Sequence, residues 1–279
     1  MRNKDRALKV ENFHQLHRQS STFVLPNAWD AVSAKMFEES GFTAIGTTSA
    51  GIAAALGFKD GENIPLQKMI DVISSIVDSV NIPVSADIES GYGGNVKEVV
   101  ETARKIIESG AVGINIEDGT GNPDRPLCDL SLQMEKIAAI KRLSDSKEDG
   151  TLFINARTDT YWLNIGDPST RLAETIKRAK WFEESGADCI FIPGLFDREI
   201  IQNLRKEISC PINLLAGSEI PSLPELSNIG IERLSCGSGP FRATVTLLKT
   251  ISDEIMNQQT FHRMTDGVLS YEKVSKIIQ

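Results

Sequence analysis

The chain has 279 residues, 41% of them apolar and 24% charged, with a formal charge of -8 at pH 7. That balance suits a globular protein with one large core, and the net acidity opposes nucleic acid or an anionic membrane as partner. No run of about 18 apolar residues occurs, and the opening MRNKDRALKVENFHQLHRQS is polar, so the expectation is no membrane span, no signal peptide and a cytoplasmic location.

In chain order the sequence repeats one unit. EESGFTAIGTTSA, IESGAVGINIEDG and EESGADCIFIPG each join a helical pattern through Ser-Gly to a short apolar run. Gly41, Gly110 and Gly186 are placed to end helices in the left-handed conformation that glycine adopts at little cost. Strands are expected at 23–25, 44–46, 84–87, 113–117, 153–157, 189–192, 212–215 and 233–235. Helices are expected at 30–40, 65–79, 96–109, 131–143, 170–185 and 241–257. Eight strands alternating with helices predict a closed (β/α)8 TIM barrel over 22–257 in a single domain, with a helical C-terminal extension over 258–279. An open doubly wound sheet is the alternative. Neither GxGxxG after the first strand nor GxxxxGK[ST] is present, so dinucleotide and P-loop chemistry have no support.

In a barrel of this kind the chemistry sits where the strands end. Those ends read TTS (Thr47 to Ser49), DIE (Asp87, Glu89), IED (Glu117, Asp118), ARTD (Arg157 to Asp159), PG, LAGS and SCGSG, and Asp60 lies in the long loop after the second strand. Strand alternation points Asp87 and Glu89 the same way, and two carboxylates together call for a cation between them. Oxygen donors without a neighbouring thiol or imidazole suit Mg2+, or Mn2+. His14, His17 and His262 all lie near the termini, and Cys128, Cys189, Cys210 and Cys236 are widely spaced, which disfavours zinc, a histidine-based triad and a disulfide framework. Blander readings exist for each group: Asp87 and Glu89 as a solvated loop start, Arg157 as an ion-pair partner for one of the acids, and Thr48 and Ser49 as small packing residues.

The stretches LPNAWDAVSAKMFEESGFTAIGTTSAG, PVSADIESGYGG, AVGINIED and NARTDT resemble the isocitrate lyase and phosphoenolpyruvate mutase superfamily, over about Phe23 to Asn257. The resemblance implies a barrel that binds Mg2+ and a small anionic 2-oxo or 2-hydroxy acid. It also implies a homo-oligomer, dimer or tetramer, in which the eighth helix swaps between subunits. Asp87 matches the direct metal ligand, and Asp60, Glu89 and Glu117 match ligands acting through water. Arg157 matches the arginine that meets substrate oxygens, with Asp60 and Glu117 beside it in the catalytic set. Thr48, Ser49 and Ala50 match the turn that binds the substrate carboxylate, with Asp87 also facing the substrate.

Departures from the pattern bear on the reaction. The superfamily's isocitrate-type lyases carry a KKCGH or KRCGH lid; here the stretch is EDGTGNPDRPLCDLSLQMEKI, with Cys128 too late and Asp129 placed as a helix cap. The mutase lid carries a lysine and an asparagine; this one has Asn122 and Arg125 but no lysine. Gly46 replaces an aromatic residue on the second strand. The resulting expectation is a Mg2+-dependent carbon–carbon lyase or decarboxylase acting on a small 2-oxo or 2-hydroxy di- or tricarboxylic acid through a pyruvate-like enolate. The alternatives are phosphoenolpyruvate mutase or phosphonopyruvate hydrolase chemistry, and a non-catalytic dicarboxylate-binding barrel. A lid of Gly119, Gly121, Asn122 and Pro123 is expected to be mobile and able to close over substrate.

Overall fold

The computed structural model describes residues 2–146 and 152–278. After α1 (Arg2–Leu16), strands and helices alternate: β1 (Phe23–Leu25), β2 (Asn27–Ala28), α2 (Ala31–Glu39), β3 (Ile45–Thr47), α3 (Ser49–Ala55), α4 (Leu66–Ser79), β4 (Val84–Asp87), α5 (Val96–Ser109), β5 (Gly113–Glu117) and α6 (Leu130–Asp145). They continue through β6 (Phe153–Arg157), α7 (Pro168–Glu184), β7 (Cys189–Ile192), α8 (Arg198–Glu207), β8 (Ile212–Leu215), α9 (Leu223–Ile229), β9 (Arg233–Ser235) and α10 (Gly239–Gln258). Two further helices, α11 (His262–Thr265) and α12 (Tyr271–Ile278), follow.

Every strand pairing is parallel. β1 pairs with β9, and β2 pairs with β3. These two short ladders are halves of one strand interrupted at Pro26, which has no N–H to give but accepts the Gly46 N–H at 2.9 Å. The barrel therefore closes through its first strand, which runs to Ala28 rather than stopping at 25, and the second strand begins at Ile45 rather than 44. The other six strands have the bounds expected from sequence.

Alternation and caps account for most of the wall. In α5 the apolar stripe Val99, Ala103, Ile106 and Ile107 is buried, Asn95 accepts the Glu98 N–H, and Gly110 ends the helix at φ +92°. Asp30 and Ser33 form a reciprocal cap at the start of α2. Helix α1 was not expected from its polar composition. It buries Val10, Phe13 and Leu16 and closes the end of the barrel where the strands begin. There Phe13 meets Phe153 edge-on at 5.1 Å, and His17 stacks on Phe153 at 4.0 Å.

The barrel interior is partly polar. Asn115, Asn155, Asn213, Arg233 and Ser235 are buried, and Asn155 donates to Asn115 at 2.6 Å. Arg233 crosses the barrel from β9 to Asn115 on β5 and donates to Ser235 at 3.1 Å. One helix differs from the rest of the wall. Among its residues α10 buries only Glu254, while Val245, Leu247, Leu248 and Met256 are exposed. Helix α12 lies against α2, where Lys35 reaches the Ile278 carbonyl at 2.9 Å.

Candidate active site

The strands end around a cavity of about 120 Å³ whose walls include Thr48, Ser49, Ala50, Asp60, Asp87 and Arg157. Asp87 is the last residue of β4. Its N–H donates to Thr47 Oγ1 at 2.9 Å, and its Oδ2 accepts the Ser49 N–H at 3.1 Å and the Ser49 hydroxyl at 2.9 Å. Its Oδ1 is buried with no hydrogen-bond partner. A carboxylate oxygen buried in that way carries a desolvation penalty of about 1–3 kcal/mol or more unless a cation or water meets it. Asp60 faces the same space, and burial first, then the Asp87 charge, raises its carboxyl above the usual range.

Glu89 reaches this region by a different route from the one its spacing suggested. β4 ends at Asp87, and Glu89 adopts φ +52°, so a left-handed turn, not strand alternation, brings the two acids together. Glu89 is buried beside the cavity rather than in its lining. It accepts the Glu62 N–H at 2.6 Å and the Tyr92 hydroxyl at 3.0 Å. Burial, followed by Asp87 and Asp60, pushes its carboxyl up to about 7. Glu62 returns the contact by accepting the Ser90 hydroxyl at 2.7 Å and the Tyr92 N–H at 2.8 Å. The loop carrying Asp60 is thereby latched to the loop carrying Glu89.

Glu117 and Arg157 end adjacent strands in register and form an ion pair at 2.8 Å. The other edge of the guanidinium grips Asp159, with Nε at 2.6 Å from Oδ1 and Nη2 at 3.2 Å from Oδ2. Arg157 is thus the ion-pair partner of two acids while it also lines the cavity. Burial pushes the Glu117 carboxyl well above its usual value, opposed by Arg157. Asp118 plays a supporting part: fully buried, it accepts the Thr158 hydroxyl and the Asp159 N–H, each at 2.9 Å, and pairs with Arg178 at 3.1 Å. Gly119 is needed here, since a Cβ would stand 2.5 Å from Asp159 Oδ2.

A second cavity of about 350 Å³ lies on the lid side of Glu117, walled by Asn122, Arg125, Cys128 and Lys136. The lid is tied to itself rather than open: Gly119 bridges Leu127, and Thr120 N–H donates to the Pro126 carbonyl at 3.0 Å. Asp129 stands at the cap position of α6 but pairs with Arg125 and makes no capping bond. Cys128 is half-buried, with its Sγ 3.6 Å from Gln133 Oε1. The buried Lys136 ammonium donates to the Ser90 carbonyl at 3.0 Å.

The donor set fits a hard divalent ion. Among the described residues no three of the His, Cys, Asp and Glu side chains come together closely enough to hold a metal directly. The residues suit an ion with one direct carboxylate ligand, through the unpartnered Asp87 Oδ1, and water-mediated contact with neighbouring acids.

Comparison with known proteins gives the family. The sequence profile of the phosphoenolpyruvate phosphomutase family matches residues 13–256. The chain belongs to this family. An uncharacterized protein of Mycobacterium tuberculosis is 37% identical over 83% of this chain and 84% of its own. A 2-methylisocitrate lyase of Halalkalibacterium halodurans is 30% identical over 73% of this chain and 66% of its own. A crystal structure from Burkholderia cenocepacia, provisionally named a lyase/mutase, superposes with a TM-score of 0.91 at 32% identity, covering 98% of this chain and 96% of the other. The family is one of lyases and mutases acting on small carboxylic acids.

Two further features shape the site in this member of the phosphoenolpyruvate phosphomutase family. Where the resemblance led us to expect an aromatic residue on the second strand, a Cβ on Gly46 would stand 2.7 Å from Asn27 Nδ2. Asn27 fills that space, donating to the Thr47 carbonyl at 2.8 Å and accepting the Cys236 and Gly237 N–H groups. The second feature is a set of site residues to which the sequence assigns no role: Asn27, Glu62 and Trp162, together with Asp159, which stands there only as part of the ARTD strand end. Only Asp159 carried a signal, two residues from Arg157 in NARTDT.

Proposed function

We propose that this protein is a divalent-metal-dependent carbon–carbon lyase or decarboxylase that acts on a small 2-oxo or 2-hydroxy acid through a pyruvate-like enolate. The observation that carries the reading is the unpartnered, buried Oδ1 of Asp87 in the cavity that also holds Arg157. A bound Mg2+ would supply charge stabilisation for an enolate oxygen. Arg157, fixed between Glu117 and Asp159, presents a preoriented cation to the same oxygen, which needs no reorganisation as charge develops. Ser49, Thr48 and Ala50 open α3 beside the cavity and orient the acid's carboxylate end. The latch between Glu62 and Glu89 holds the acid-bearing loops in place.

A substrate panel in Mg2+, scored separately for pyruvate, glyoxylate and phosphate, tests this. Pyruvate or glyoxylate release above the uncatalysed background is expected. Binding without turnover of any member would favour the non-catalytic barrel. A second reading has its own observation: Asn122 and Lys136 together wall the lid-side cavity, so a phosphoryl group has an amide and a cation to meet there although the lid itself lacks a lysine. Phosphate release or phosphonate rearrangement as the sole reaction would favour it. We also infer that a second copy of the chain covers α10, whose exposed Val245, Leu247, Leu248 and Met256 are left without a barrel to pack on; light scattering should return a dimer or tetramer.

A further inference from the structure

The 120 Å³ cavity has two unlike poles. On one side stand Asp60, Asp87 and Ser49; on the other, Trp162, Phe191, Pro193 and Leu215. The apolar pole is built. Gly194, at φ +80°, lets the Trp162 backbone cross over the end of β7, where a Cβ would stand 3.1 Å from the Trp162 nitrogen. Gly237, at φ +54°, makes the equivalent room for Leu215, whose Cδ1 would lie 2.9 Å from a Cβ. Two left-handed glycines therefore admit two large apolar residues at the same wall.

The polar groups near that wall are mostly engaged, and the two unpartnered ones, Asn213 Nδ2 and Arg233 Nη1, belong to fully buried residues behind Ser235 that do not line the cavity. Asn27 holds Thr47, Cys236 and Gly237, and Ser235 Oγ lies between Asn213 and Arg233. Arg157 is the one cation among the described residues lining the cavity. It carries Glu117 and Asp159 on its two edges and lies 5.8 Å over the Phe191 ring. Lys136 and Arg125 sit in the other cavity, bound to Ser90 and Asp129. A carboxylate placed against Trp162 and Leu215 would exchange part of its water for an apolar wall and find no free cation in the lining, which is unfavourable.

Resting on the lyase reading above, we propose that the site selects a small 2-oxo or 2-hydroxy acid whose tail is alkyl rather than anionic, and that Trp162 is the residue that sets this preference. The chelating end of the substrate lies toward Asp87 and its tail lies against Trp162, Phe191 and Leu215. Branched alkyl substituents gain from burial there, and tricarboxylates are rejected for lack of a partner.

The test is calorimetric binding in Mg2+ of three probes: oxalate, which has no tail; 2-oxoisovalerate, with a branched alkyl tail; and 2-oxoglutarate, of equal carbon number with an anionic tail. The wild-type protein should bind 2-oxoisovalerate about ten-fold or more tighter than 2-oxoglutarate. Trp162 is 53% exposed, so its replacement spares the fold. Trp162→Ala should erase the difference, and Trp162→Arg should reverse it, with oxalate unchanged in both. Equal or tighter binding of 2-oxoglutarate to the wild type, or a ratio that neither variant moves, would overturn the proposal while oxalate binding left the lyase reading standing. Failure of oxalate to bind in Mg2+ would overturn both.

Discussion

The two ends of the barrel solve opposite problems. Where the strands begin, α1 seats Phe13 against Phe153 with His17 stacked alongside, and the Arg233 guanidinium lies 6.0 Å over the Phe13 ring. Where they end, acids crowd together, Glu62, Glu89 and Tyr92 adopt left-handed backbone, and Asp87 keeps an unpartnered oxygen. Backbone of that kind in residues other than glycine costs about 1–3 kcal/mol each. One end is arranged for burial and the other is held in a configuration that burial alone would not choose. The difference suits the first to stability and the second to the proposed chemistry.

The comparison breaks first at Asp87. Asp87→Ala should abolish Mg2+-dependent turnover and Mn2+ binding with little change in thermal midpoint. EDTA should silence the wild type, with Mg2+ or Mn2+ restoring it; full activity in EDTA would remove the mechanism. Phe13→Ala is the mirror experiment. It should destabilise the protein by about 3–5 kcal/mol in urea denaturation, while Mn2+ affinity per folded molecule stays constant.

Smaller effects sharpen the contrast. Arg157→Lys keeps the charge but loses the planar fork that spans Glu117 and Asp159, so kcat should fall about ten-fold or more. A silent substitution would leave Arg157 as an ion-pair partner alone. Glu62 lines neither cavity and reaches the site through Glu89, Ser90 and Tyr92, so Glu62→Gln should act through the latch, weakening Mn2+ binding by up to about ten-fold as read by a metal titration. Cys128→Ser should leave turnover near wild type, because its thiol lies on the lid side of Glu117 and contacts Gln133. A folded but inactive Cys128→Ser protein would make Cys128 the acid that protonates the enolate.

Much of the rim was legible because its signals are local. A short apolar run ending in Asp and followed by glycines marks the close of β4, and the Ser-Gly breaks before β3, β5 and β7 mark the helices that feed them. Long-range placement was not legible. Nothing in PNAW shows that Asn27 occupies the space above Gly46, since that requires knowing the first strand pairs on both sides. Glu62 has no local pattern in KDGEN, and Trp162 reads as an ordinary loop residue until Gly194 is brought beneath it. Helix α1 escaped notice because its buried stripe is narrow: Val10, Phe13 and Leu16 on an otherwise polar helix. The left-handed turn at Glu89 defeated strand alternation, which holds only while the strand continues.

The divided first strand also bears on how the protein folds. Asn27 accepts hydrogen bonds from Cys236 and Gly237, a closure spanning about 210 residues of chain. The first strand to leave the ribosome cannot meet its second neighbour until nearly the last one has been made. Contacts of that separation are slow to form, so the barrel is expected to pass through an open, C-shaped sheet with β1 and β9 as unpaired edges. Such edges invite pairing with other chains. Yield on refolding should therefore fall as protein concentration rises, and the α1 plug, made first and seated against β6, is the element best placed to hold the open form together until the last strand arrives.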